Sequence, residues 1–203
     1  MSLVAQAEGF QYSGFWCSGT VVLEDQRVID GEINYDLKFG AIQVKRNGLV
    51  KTYTAENVAQ FTLFDAVKHR ERKFVAIDHT EDEGYHRKTF FEVISEGQLT
   101  ILRKSKYVRK PRVTEDARAP HVYMNAVCRH RYYVLQNDRF TEINDFKNEV
   151  LPLMSQHQQE VKAYIRQCKL KLKRIHEQMR VVVLYNQLCQ SDANKGALTE
   201  QYR

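Results

Sequence analysis

The segment Gly19–Asp65, GTVVLEDQRVIDGEINYDLKFGAIQVKRNGLVKTYTAENVAQFTLFD, constrains the fold more than any other part of the chain. Its apolar residues recur at every second position in short runs, and turn-forming residues separate the runs. A period of two places alternate side chains on opposite faces of a strand, so such runs bury one sheet face and wet the other. Val21 and Leu23 share one face of the first strand, opposite Thr20 and Val22. Glu24–Arg27 is a polar turn, and Val28–Tyr35 resumes the strand, with Gly31 read as a bulge. Ile33, Tyr35 and Leu37 alternate, Lys38–Gly40 turns, and Ile42 and Val44 alternate again. Asn47-Gly48 is the strongest hairpin signal, because both residue types tolerate the positive φ of a type I′ turn. Thr54 is placed to cap a short helical turn over Ala55–Val58. Phe61, Leu63 and Phe64 then begin another strand.

The strand pattern continues through Phe74–Ile101, with a hairpin turn at Glu96-Gly97. Arg103–Pro120 is strongly basic, holds two of the three prolines, and reads as an exposed loop. Val122–Val127 reads as a strand, and Arg131–Leu135 and Arg139–Ile143 as a hairpin around Asn137-Asp138. At Asn144 the period changes to that of a helix. Asn144 or Asp145 can cap it, and Pro152 suits a first turn, so the helix is expected to start there. Val161, Tyr164, Ile165 and Cys168 keep helical spacing, as do Met179, Val182, Val183 and Leu188. Lys169–Arg174 alternates Lys with Leu and fits either a break or a continued helix. The expected architecture is α+β: a strand-rich, barrel- or sandwich-like region over 8–143, helices over 144–190, and a polar tail over 191–203. A hydrophobic share of 43% against 28% charged is enough for a buried core. No stretch reaches the ~18 apolar residues that a bilayer crossing requires.

A net charge of +6 favours anionic partners. Arg103, Lys104, Lys106, Arg109, Lys110 and Arg112 surround Tyr107, and basic residues interleaved with an aromatic can hold phosphates and stack on bases. A second basic stretch, Lys162–Arg180, includes Lys169, Lys171, Lys173 and Arg174. An anionic ligand on these residues is one reading; a solvated face is the plainer one. No nucleic-acid motif is present, so nucleic acid is not the expected partner. The acidic run Asp78–His86 could supply oxygens to a hard ion, with nitrogen from His79 and His86. Its spacing matches no calcium or zinc pattern, and a solvated loop is the first reading. Cys128 and His130 share a strand face, but no orienting group or oxyanion site accompanies them. Cys17, Cys128, Cys168 and Cys189 form no C-x-x-C pair and read as buried thiols. Gly-rich phosphate loops, nucleophile elbows, zinc-protease motifs and dinucleotide fingerprints are all missing, so no cofactor is expected and a non-enzyme is favoured. The apolar helix faces pack on the strands, or else serve a protein partner or a second copy.

Ala5-Gln6-Ala7 has the small-x-small pattern that ends a secretory signal peptide, without the apolar core that should precede it. It reads either as a signal remnant behind an added Met1-Ser2-Leu3 or as an ordinary N-terminus. The C-terminal blocks RYYVLQNDRFTEINDFKNEVLPLM, EVKAYIRQCKLKL and VVVLYNQL resemble a group of uncharacterised exported proteins from Bacteroidota. The matching landmarks are Tyr132, Tyr133, Leu151, Tyr164, Ile165, Lys169, Leu170, Tyr185 and Asn186, and Gly19–Phe64 fits the group's strand pattern. The resemblance implies a strand hairpin leading into C-terminal helices and export to the periplasm or cell envelope. It implies no activity and no catalytic residues. The functional expectation is a non-enzymatic binding or assembly module of the envelope. The alternatives are an anion- or nucleic-acid-binding module and a metal-dependent enzyme centred on His79 and His86.

Overall fold

A computed structural model of the protein describes residues 15–66, 68–80, 84, 86–113, 122–137 and 139–200, with side chains except at 109–113, 122–127 and 195–200. Ten strands come first: β1 Cys17–Leu23, β2 Val28–Asp36, β3 Ala41–Arg46, β4 Leu49–Thr54, β5 Val58–Asp65, β6 Arg70–Thr80, β7 His86–Ser95, β8 Thr100–Val113, β9 Val122–Gln136 and β10 Arg139–Glu142. They make one antiparallel sheet in the order β10-β9-β8-β7-β6-β5-β1-β2-β3-β4. A π-helical turn, Phe146–Val150, and a 3-10 helix, Leu151–His157, lead into α1 Gln158–Gln167 and α2 Ile175–Glu200. The fold is α+β, as the sequence predicts. Compactness divides the chain elsewhere than at the change from strands to helices: one unit is Met1–Glu92 with Lys104–His130, the other Val93–Arg103 with Arg131–Arg203.

In the first unit, β1 and β2 pair without interruption from Cys17↔Ile33 to Val22↔Val28, which sets Gly19 opposite Gly31. Gly31 is therefore no bulge; the register shift falls between Val22 and Leu23, on the β5 side. The glycines answer a different need. A Cβ on Gly31 would lie 2.7 Å from the Lys45 carbonyl oxygen of β3, and one on Gly19 would collide with the Thr62 carbonyl of β5. Asn47 and Gly48 take φ of 51° and 76°, as their hairpin requires. Thr54 caps no helix: the Asn57 amide donates to its carbonyl at 3.1 Å in a tight turn, and β5 already begins at the fully buried Val58. A β-branched side chain that fits the core outweighs the local capping preference there.

The Tyr35 ring of β2 meets Phe61, Phe74 and Phe90 edge-on, with centroids at 5.4, 5.3 and 5.9 Å. Phe61 and Phe74 are cross-strand partners, stacked at 4.5 Å. Phe90 belongs to β7, four steps from β2 in the strand order. A flat sheet would hold those strands about 19 Å apart, so the sheet must roll around the aromatic cluster. The strand order ends on β4 and β10 with no ladder between them among the described residues, and within the first unit the strands roll into a partial barrel. Inside it, the Arg72 Nε donates to Glu92 Oε1 at 2.7 Å, Nη2 donates to Oε2, and Asp65 Oδ2 lies 3.8 Å from Nη1. All three residues are buried.

The basic segment from Arg103 is not a loop. β8 runs through it to Val113, because neighbours on both sides in the sheet take up its backbone hydrogen bonds; residues 114–121 lie outside the described part. In the second unit the expected hairpin pairs Gln136 with Arg139, although Asp138 is not among the described residues. Asp145 accepts from the Asn148 amide at 3.3 Å, and Glu149 accepts from the Asp145 amide at 3.1 Å. This reciprocal cap starts the helical run at Phe146, ahead of Pro152. The proline instead enters the first turn of the next segment, where an amide would have no intrahelical partner. Between the two helices the chain breaks, with Lys169 and Leu172 at φ of 51° and 58°, and the alternation places Leu172 inward and the cations outward. α2 continues through Glu200, where a polar tail was expected. Its Asn186 amide side chain both donates to the Leu99 carbonyl and accepts from the Leu99 amide at 2.9 Å, as a neighbouring strand would.

Replacing Gly31 by valine should lower the free energy of unfolding by about 2 kcal/mol, the cost of forcing a side chain into a closed gap. Urea denaturation measures this. An unchanged midpoint would contradict the close approach of β2 and β3.

Candidate anion-binding recess

The roll has a local consequence at the β2–β3 turn. The Asp36 carboxylate accepts from the amides of Lys38 and Phe39 at 2.9 and 3.1 Å, and Gly40 closes the turn at φ 63°. The turn so fixed faces β7 and β8 and encloses a recess of about 140 Å³. Tyr35, Leu37, Lys38, Phe39 and Gly40 form one wall, Arg87–Phe90 and Lys104–Lys106 the others. Five of these residues are cationic, Lys38, Arg87, Lys88, Lys104 and Lys106, and none is acidic. The volume equals the share of about four or five liquid waters, room for a small oxyanion.

The cations are held in distinct ways. Lys88 pairs with Glu24 of the β1–β2 turn. The Lys38 ammonium stands 4.9 Å from the Phe39 ring centre, and that of Lys104 5.7 Å from the ring of Phe91. Each ring face attracts positive charge and restrains a flexible side chain. Phe39 is 65% exposed. Ser105 is hydrogen-bonded to His130 Nδ1 at 2.8 Å, so this imidazole meets a hydroxyl. Burial pushes the Tyr35 phenol well above its ordinary range, and the charges of Glu92, Asp36 and Cys128 push it further. Tyr107 is raised by burial first, then by Cys128 and Asp36. The Tyr35 phenol, part of one wall of the recess, thus stays neutral beside the cations.

Of the basic residues singled out in the sequence, Lys104 and Lys106 line the recess. Tyr107 packs against the first unit's core instead of standing among the charges. Arg103 lies on the same strand but belongs to the second unit. Arg109, Lys110 and Arg112 continue β8, with side chains outside the described part. Lys169, Lys171, Lys173 and Arg174 are exposed on the connection between α1 and α2, in the second unit. The His79 ring stands edge-on to Phe91 at 5.6 Å, and His86 Nδ1 lies 3.1 Å from Thr80 Oγ1. Among the described residues no three His, Cys, Asp or Glu gather as a metal site would need; Glu81–Glu83 and Tyr85 fall outside them, as does Ala5-Gln6-Ala7. Cys128 packs against the core. The sequence reading missed Lys38, Arg87 and Lys88. Arg87 and Lys88 reach Lys104 and Lys106 through the pairing of β7 with β8, whereas Lys38 is brought to them by the roll of the sheet.

A larger depression of about 430 Å³ in the second unit carries a single charged lining residue, Glu96, and surrounds the Asn186 clamp. Among the described residues no helix is long and apolar enough to cross a membrane. No protein-family model, curated protein or solved structure matches the chain.

The Tyr35 shift has a definite sign. A raised native value means that the unfolded state releases its proton first, near the ordinary value of 10.0. The stabilisation is complete below that pH and is lost above it, at up to about 1.4 kcal/mol per pH unit. Unfolding free energy measured from pH 9 upward should therefore fall less steeply in Tyr35→Phe than in the parent (~1 pH unit above the ordinary value is enough to read it). Equal slopes would contradict the burial of the phenol.

Proposed function

We propose that the protein is a binding module that takes an anionic group of its ligand into the recess between the β2–β3 turn, β7 and β8. The observation that carries this reading is the lining itself: five cationic residues, of which Lys88 also pairs with Glu24, and no acidic lining residue around a volume suited to a small oxyanion. Lysine and arginine give charge-assisted hydrogen bonds to phosphate or carboxylate oxygens, and the net charge of +6 adds long-range attraction. Phe39, exposed beside the recess, offers apolar contact to whatever carries the anion. The reading assigns no reaction.

We place this module in the periplasm or cell envelope on the resemblance of its C-terminal blocks to exported Bacteroidota proteins. Cell fractionation of the native gene product tests that placement separately; a cytoplasmic protein would remove it and leave the recess intact.

Titration of the full chain with inorganic phosphate, followed by calorimetry, tests the recess. Binding is expected to weaken as salt rises, because mobile ions screen the lining charges. Lys104→Ala with Lys106→Ala should weaken it by about tenfold, whereas Lys173→Ala with Arg174→Ala should leave it unchanged. No heat of binding in the parent, or equal loss in both pairs, would refute the assignment.

A further inference from the structure

We infer that β4 is a docking edge for an extended acidic segment of a partner protein, which adds to the sheet as a further strand. This does not depend on the recess. β4 pairs with β3 from Ala41↔Thr54 to Arg46↔Leu49, and it ends the strand order. Among the described residues no strand takes up the backbone groups on its other side. A row of such groups is a template for one more strand. Leu49 and Val50 are 69% and 51% exposed, apolar surface that an added strand would cover.

The chemistry of the groove beside this edge selects the occupant. It has a volume of about 510 Å³, and Val28, Ile29, Val44, Leu49 and Tyr53 give it an apolar floor. Arg27, Arg46 and Lys51 are its charged lining residues. Arg27 is paired with Asp25 at 2.7 Å, so Arg46 and Lys51 are the cations offered to an added strand. A lysine on an edge strand ordinarily repels unwanted strands. Here Lys51 stands in the middle of β4, between Leu49 and Tyr53 on the same face. A strand carrying apolar and acidic side chains alternately toward the groove satisfies both the floor and the cations. A second copy of this chain does not, because it would bring another Arg46 and Lys51 against the first pair.

The test uses the full chain and an acetylated, amidated peptide, Val-Thr-Glu-Thr-Val-Thr-Glu, with its Glu-to-Lys counterpart as control. The acidic peptide should bind and slow hydrogen exchange at amides of Leu49–Thr54, and the lysine peptide should not bind. Lys51→Glu, a change at an exposed position that leaves the fold intact by circular dichroism, should weaken the acidic peptide about tenfold and admit the lysine peptide. Inorganic phosphate at matched ionic strength should not compete. The inference is overturned if the acidic peptide does not bind, if both peptides bind the parent equally, or if Lys51→Glu changes neither. It is equally overturned if protection appears away from β4, if phosphate displaces the peptide, or if the chain without peptide dimerises through β4.

Discussion

The contact between Tyr35 and Phe90 is the constraint on which the first unit depends. The two rings belong to strands four steps apart in the sheet, yet their centres are 5.9 Å apart. Burial of large aromatic surfaces supplies the driving force, and the edge-on geometry adds a favourable alignment of ring charge distributions. Bending a sheet this far requires strands to approach closely at the bend. Gly19 and Gly31, facing each other across β1 and β2, leave that room. The roll then carries the β2–β3 turn to β7 and β8, and the recess follows as its consequence.

The same interior holds the Arg72, Glu92 and Asp65 cluster. Burying charge is costly unless hydrogen bonds replace water. The paired bonds from Arg72 to Glu92 meet that need, and the Arg72 guanidinium also lies over the Phe74 ring, 5.2 Å from its centre. Charge and aromatic packing are therefore joined at one end of the roll, with Tyr35 close enough to Glu92 to feel its field.

Much of the fold was legible because its determinants are local. Alternation around Val21, Ile33 and Phe61 marks strands, and Asn47-Gly48 marks a hairpin; Asn144 or Asp145 is legible as a cap, but Pro152 draws the expected helix start too far along the chain. Other features were not legible because tertiary context decides them. Gly31 looks like a bulge until the neighbouring Lys45 carbonyl is seen. The basic segment from Arg103 looks like a loop because charge and proline dominate it, and only its neighbours in the sheet make it a strand. Two of the recess cations, Lys104 and Lys106, stood out by composition. Arg87 and Lys88 carry no signal of their own and join the recess through the pairing of β7 with β8, while Lys38 is distant along the chain and meets them only when the sheet rolls.

An aromatic nuclear Overhauser experiment on the isotope-labelled full chain tests the roll most directly. Cross-peaks between Phe61 and Phe74, which pair on adjacent strands, will be present whatever the curvature and serve as the internal reference. The account predicts an additional cross-peak between the rings of Tyr35 and Phe90. Its absence, with the Phe61–Phe74 signal intact, would mean a flat sheet and would remove the physical basis of the recess.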